Sequence, residues 1–320
     1  MPIPATSHIW FNGKLVPWEK ATVHVLAHAL HYGSSVFEGL RAYATPKGVA
    51  IFRLGDHTRR LFDSAKIYRI QIPFLPAQID AACRETVAVN GLNKGAYIRP
   101  VAFRGYGEIG VAPKVEPPIE VAVAAWEWGK YLGHESEAEG VDVCVSSWQR
   151  MAPNTLPAMA KASGNYLSSQ LISLEAKRLG FAEGIGLATD GTVSEGAGEN
   201  LFLVKDGVLL TPALSHSVLG GITRNTVMKL AAELGIEVRE CAVPRELLYL
   251  ADELFFTGTA AEVTPVRSVD RLAVGSGRRG PVTERIQQAF FGLFDGRTED
   301  KWGWLDYVDM RAGARVAVAG

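Results

Sequence analysis

Lys161 is the only charged residue between Arg150 and Glu175, and its neighbours Ala158, Met159, Ala160, Ala162, Ser163 and Gly164 are small or apolar. Burial drives a lysine toward its neutral amine, and a neutral amine attacks carbonyl carbon. A lysine packed this way can form a Schiff base. The plainer reading is a side chain that runs from a helix start to solvent. Other candidates stand elsewhere in the chain. Glu195 lies between serine and glycines in Val193-Ser-Glu-Gly-Ala-Gly-Glu-Asn-Leu-Phe202, a setting between two strands that aims a carboxylate inward at a cation rather than leaving it in a turn. Glycines ahead of Ile222 and Thr223 leave backbone N–H groups at a helix start, which suits an anion such as phosphate. The stretch Gly258-Thr259-Ala260 repeats that device after a buried strand. Arg59 and Arg60 fall in the first turns of a helix, where a buried arginine grips a carboxylate or phosphate in fork geometry. Tyr97 and Arg99 share one face of a strand by its period of two.

Two further patterns are weighed and set aside. His24, His28 and His31 follow one another at helical spacing, but no carboxylate or cysteine accompanies them to complete a metal site. Gly105-Tyr-Gly-Glu-Ile-Gly110 has the form of a dinucleotide fingerprint. The fingerprint requires a helix at its third glycine, and Val111-Ala-Pro-Lys followed by Glu116-Pro-Pro cannot supply one. A flexible glycine loop is the reading that stands.

The elements that must position these groups can be read in outline. A chain of 320 residues with 48% hydrophobic content suggests two domains, and 33 basic against 34 acidic residues leave no footprint for nucleic acid. Cys83, Cys144 and Cys241 are scattered singly, as reduced thiols of a cytoplasmic protein. No secretion signal and no apolar run of membrane-spanning length is present. Residues 1–131 form a first α+β domain: a hairpin at Asn12-Gly13, a strand from Tyr32 to Ala44, and Val49 to Arg53 paired with it. A helix capped by Asp56 and another over 76–90 follow, then strands over 96–104 and 119–128. A linker over 132–140 leads to a second domain, 141–309. There the pattern Leu167, Leu171, Leu174 marks a helix after Lys161, and helices open near Val218 and Val282. The tail, 310–320, has no usable periodicity.

Lysine, arginine, a strand glutamate and two amide-bearing loops are the parts needed to bind pyridoxal 5'-phosphate. At this point the chain resembles the branched-chain amino acid aminotransferases of class IV, over about Ile9 to Met310. The resemblance rests on Tyr-Gly-x-Ser-Val-Phe-Glu-Gly-x-Arg at 32–41, Ala-Lys-Ala-x-Gly-Asn-Tyr at 160–166, Ser-Glu-Gly-Ala-Gly-Glu-Asn-Leu-Phe at 194–202, Gly-Ile-Thr-Arg at 221–224 and Gly-Thr-Ala-Ala-Glu at 258–262. It implies the α+β, two-domain fold of type IV, shared with D-amino acid aminotransferases, with the cofactor at the domain interface. Lys161 would be the Schiff-base lysine, Glu195 the partner of the pyridine nitrogen, and Tyr166 a hydrogen bond to the phenolic oxygen. Arg60, Ile222, Thr223 and Thr259 would hold the phosphate, with Leu219 against the ring. Tyr32, Phe37, Gly39, Trp128 and Tyr131 would line the side-chain pocket. Tyr97 and the amides of Thr259 and Ala260 would take the substrate carboxylate, and Arg99 the second carboxylate of glutamate. The loop at Gly110-Val111 would reach a neighbouring subunit, so a homodimer or a larger homo-oligomer such as a hexamer is implied.

The implied activity moves the amino group of leucine, isoleucine or valine to 2-oxoglutarate. A D-amino acid aminotransferase or aminodeoxychorismate lyase is the alternative on this fold, and Arg99 with its aromatic neighbours argues against both. A binding scaffold that had lost its cofactor would lack Lys161 or Glu195. Gly220, Ile109 and Ala188 depart from the family pattern and bear on specificity rather than chemistry.

Overall fold

The computed structural model describes residues 3–129 and 136–311. The chain divides into two compact units, one of Met1–Trp128 with Ala160–Gly164 and the chain from Asp300, the other of Gly129–Met159 and Asn165–Glu299. The five residues around Lys161 thus group with the first unit, although more than thirty residues of the second precede them. Tyr131 and residues 312–320 lie outside the described residues, as do 132–135 of the expected linker, and Ser136–Glu139 is a short helix.

The first unit is built on an eight-stranded sheet. Its strands are His8–Phe11, Lys14–Pro17, Ser35–Phe37, Leu40–Thr45, Gly48–Phe52, Gly95–Arg104, Ile119–Trp126 and Leu305–Tyr307. All pairings are antiparallel, and the long central strand Gly95–Arg104 pairs with three others, Ser35–Phe37, Leu40–Thr45 and Ile119–Trp126. Helices Leu54–Ile67 and Pro76–Val89 bury Leu61 and Ile79 against Leu40, Ile51, Ile98 and Val123 of the sheet. Apolar burial of this kind outweighs any intrinsic helix preference.

The expected strand from Tyr32 to Ala44 is instead a helical turn, His28–Tyr32, and two strands. Both strands pair with the central one in a single register, Phe37 opposite Val101 and Leu40 opposite Ile98, and between them the Glu38 N–H still donates to the Pro100 carbonyl at 2.8 Å. Nor does Asp56 cap the following helix. Arg53, in the left-handed region at φ 55°, precedes Leu54 there, and the Asp56 carboxylate accepts from Arg53 Nε at 2.6 Å and from Arg59. Two guanidinium groups outcompete a backbone N–H for that carboxylate.

A nine-stranded mixed sheet organises the second unit, with Val141–Val145 parallel to both Glu183–Leu187 and Glu262–Val269. Phe202 and Phe255 stack at 5.3 Å between ring centroids, in adjacent strands of its core. No sequence pattern predicts the strand Glu262–Val269, because Pro265 within it speaks against a paired strand. The helix Tyr166–Arg178 forms as the leucine pattern predicts, yet it turns the other way. It buries Ser169, Ile172 and Ala176, and leaves Leu167, Leu171 and Leu174 exposed.

Candidate active site

In the first unit the candidate residues converge on the ring of Phe37. Lys161 lies five residues ahead of its helix, in an extended link bridged to the strand Ser35–Phe37 through Val36 and Ala162. Its Nζ stands 5.2 Å from the centroid of the Phe37 ring, and the Arg99 guanidinium lies over the same ring at 4.6 Å. Ring faces attract cations, so Phe37 gathers both. Arg99 Nη2 donates to Tyr97 Oη at 3.0 Å, whereas its buried Nε has no hydrogen-bond partner among the described residues. Tyr97 is set edge-on to Trp128, ring centroids 4.3 Å apart. Gly39 is what makes this possible: a Cβ there would meet Tyr97 Oη at 2.0 Å. Phe37, Gly39, Tyr97, Arg99 and Trp128 are therefore brought together with Lys161.

Tyr32 is exposed, its ring 4.5 Å from that of His28. His28 itself is buried and ties down the glycine loop. Nε2 donates to the carbonyl of Gly110 at 2.8 Å, and Nδ1 accepts from Ser34 at 2.7 Å. Val111, next in that loop, is 89% exposed. Among the described residues no group of three potential metal ligands exists.

Arg60 holds a carboxylate of its own chain. Its Nε and Nη2 reach the two oxygens of Glu38 at 2.6 and 2.9 Å, and His57 Nδ1 donates to the same carboxylate at 2.7 Å. Glu38 is fully buried and His57 nearly so. Burial raises the Glu38 carboxyl, but Arg60 and then His57 overcome it and hold it well below the usual carboxylate range. For His57 burial dominates over Glu38 and the imidazole falls below its ordinary 6.5. Both groups thus bind fewer protons folded than unfolded, so each contributes stability that is lost as pH falls. Unfolding free energy is expected to decline once pH drops below 6.5, and again below 4.5, the ordinary value for Glu38. Denaturation in urea across pH 8 to 4 measures it, and His57→Leu should flatten the upper part of the decline.

The second unit carries the other set. Glu195 is buried in the strand Val193–Gly196, its Oε1 2.6 Å from Arg150 Nη2. Its Oε2 accepts from Asn200 Nδ2 and from the backbone N–H of Leu219, both at 3.0 Å. Leu219 is thus fixed through its main chain, since its carbonyl also accepts from Asn200 at 2.9 Å. Arg150 is placed by Ser169 Oγ at 3.0 Å and lies along Gly186, where a Cβ would come within 3.0 Å of its Cγ.

Ile222 and Thr223 open the helix Ile222–Glu233 behind Gly221, which offers no side chain to cap it. A Cβ on Gly221 would strike Asn200 Oδ1 at 1.8 Å, so the backbone approaches that amide as only glycine can. Thr259 and Ala260 occupy the turn between strands Glu253–Gly258 and Glu262–Val269. Tyr166 begins its helix and, with Ser169, Ser173, Ala197 and Gly198, lines a cavity of about 330 Å³.

Glu38, His57 and Arg150 carry these arrangements, and none of the three is among the residues the sequence singles out. Glu38 falls inside the motif at 32–41, and His57 stands three residues before Arg60 on one helix face, so a signal exists for both. A lone arginine ahead of a lysine segment gives none.

The model of the amino-transferase class IV family matches residues 35–269. The chain belongs to that family. Among its relatives, the branched-chain-amino-acid aminotransferase of Escherichia coli (strain K12) is 58% identical over 310 residues, covering 97% of this chain and all of that protein. The crystal structure of the E. coli branched-chain amino acid aminotransferase superposes with a TM-score of 0.93 at 58% identity, over 95% of this chain and 100% of that one. A branched-chain aminotransferase from the thermophilic archaeon Thermoproteus uzoniensis, crystallised with norvaline, gives 0.90 at 42% identity, over 95% and 100%.

Proposed function

We propose that this protein is a branched-chain amino acid aminotransferase, which uses pyridoxal 5'-phosphate to pass the amino group of L-leucine, L-isoleucine or L-valine to 2-oxoglutarate. The observation that carries the reading is the pair of cations, Lys161 and Arg99, on the ring of Phe37 beside Tyr97 and Trp128. An apolar wall suits a branched side chain. Glutamate brings a second carboxylate, whose unpaired burial costs several kcal/mol, and Arg99 answers it.

The donor set fits the cofactor. Glu195 is buried, ion-paired and oriented through both oxygens, and Gly221 opens an uncapped helix start where a side chain would not fit. When bound, pyridoxal 5'-phosphate supplies the aldehyde for the amine and a ring that accepts the electrons of a broken Cα–H bond. Glu195 would hold a proton on the pyridine nitrogen, and Tyr166 would donate to the phenolic oxygen. Ile222, Thr223 and Thr259 would hold the phosphate, with Arg60 alongside while it keeps its grip on Glu38, and Leu219 would lie against the ring. Lys161 would carry the substrate Cα proton on its amine. Tyr97 and the amides of Thr259 and Ala260 take the substrate carboxylate, while Tyr32 and Tyr131 complete the pocket. The exposed Val111 supports a homodimer or larger homo-oligomer in which its loop reaches a second copy. The scattered thiols suit the cytoplasm; none of the described helices is long and apolar enough to cross a membrane.

A steady-state panel of amino donors with 2-oxoglutarate tests the activity, and the three branched-chain acids should lead it. Within that panel Arg99→Ala is expected to weaken kcat/KM for glutamate and 2-oxoglutarate by about 2–4 kcal/mol, the range for breaking a buried charge pair. The half-reaction with leucine should change far less. Equal losses for both donors would remove the dual-substrate account.

A further inference from the structure

Lys161 is gripped by its main chain on both sides. Its N–H donates to Ser64 Oγ at 3.0 Å, and its carbonyl accepts from the N–H of Phe37, also at 3.0 Å. The grip continues past the lysine, where Ala162 bridges to Val36 and Ser163 Oγ accepts from Ser35 Oγ at 2.7 Å. Ser64 is fully buried in the helix Leu54–Ile67 and stands four residues after Arg60 and seven after His57, on the face that carries both. Serine is a poorer helix former than alanine, and a hydroxyl in a packed interior is costly unless it is bonded. Here the bond goes to the peptide of the reactive residue.

We propose that Ser64 is a positioning residue for Lys161: its hydroxyl, without touching substrate or cofactor, fixes the peptide from which the amine swings. This rests on the reading of Lys161 as the proton carrier. A lysine side chain is a flexible four-carbon stem, so the location of its amine is only as definite as its Cα. A misplacement of about 1 Å at a reacting group can cost on the order of 100-fold in rate.

The test uses the full-length protein loaded with pyridoxal 5'-phosphate, as wild type, Ser64→Ala and Ser64→Cys. Cysteine keeps the shape with a somewhat larger γ atom and is a weak acceptor, so beside alanine it separates the hydrogen bond from the packing. Hydrogen–deuterium exchange at the Lys161 amide should run at least about tenfold faster in both variants, with the amides of Leu61 and Ala65 unchanged, because one buried bond is lost and the helix is not. With L-leucine, kcat should fall by roughly 10- to 100-fold while KM stays within about threefold. The isotope effect with Cα-deuterated leucine should rise, as proton transfer becomes slower than the other steps. Unchanged exchange at Lys161 in the variants overturns the proposal. So does faster exchange with wild-type kcat and isotope effect, which would leave a bond that positions nothing. A Cys variant that behaves as wild type would make Ser64 a core filler and end the idea as well. Should the Ala variant fail to fold, the Cys variant carries the same comparison. A wild-type protein inactive on leucine would instead sink the functional reading, and the exchange data would still decide whether Ser64 holds the peptide.

Discussion

Lys161→Ala is expected to lower transamination by on the order of 10³- to 10⁴-fold, near the upper end of what a positioned acid–base group contributes. The other cation set over the Phe37 ring is the guanidinium of Arg99, which does not give up its proton and so cannot take over. The fold should survive. Lys161 is half-buried, and its main-chain bonds to Phe37 and Ser64 need no side chain. The cation–ring contact that the substitution removes from the folded state is worth about 1 kcal/mol. Single-turnover spectra with leucine, beside a denaturation curve, measure both halves of the expectation. Turnover near that of the wild type would take the lysine out of the mechanism.

A second large effect is expected at Arg150, this time on stability. Arg150→Met leaves the buried Glu195 carboxylate its N–H donors from Asn200 and Leu219 but takes away the guanidinium. Removing one partner of a buried pair typically costs about 3–5 kcal/mol, because the remaining charge is then uncompensated. The side chains of Arg150 and Glu195 are each only 6% exposed, so solvent offers little screening. The double variant Arg150→Met/Glu195→Gln should recover much of that loss, since a neutral amide needs no counter-charge. Chemical denaturation of the three proteins followed by circular dichroism makes the comparison. A loss below about 1 kcal/mol for the single variant would place the pair among those that contribute little.

The parts of this molecule that are legible in the sequence are those whose cause is local. The period of two predicts the strand at 96–104, an apolar run predicts one over 119–128 that ends at Trp126, and the Asn12-Gly13 turn predicts the first hairpin. The leucines of the helix after Lys161 show the limit of such patterns. Spacing of three and four identifies a helix, but which face packs depends on the neighbouring strand. Here Gly184 and Gly186 leave room for Ile172 instead, and the leucines point outward. At the site, Lys161 stands out because its surroundings are poor in charge. Arg150 does not, because its partner is forty-five residues away and its burial comes from strands that pair only in three dimensions. Glu38 is hidden differently, inside what reads as one strand, where it falls between two and its side chain turns to Arg60 and His57.

The pairing of Leu305–Tyr307 with Gly48–Phe52 has a bearing on how the protein is made. A ribosome delivers the chain from its amino end at about 5–20 residues per second, so roughly 250 residues and some tens of seconds separate the two partners. Through that interval the strand Gly48–Phe52 is an open edge of apolar residues, the kind that recruits strands from other nascent chains. The same unit also waits for Ala160–Gly164. Emergence of Leu305–Tyr307, rather than of the first 130 or so residues, therefore sets the moment at which the amino-terminal unit can close, and truncations that end before Leu305 should expose that edge permanently.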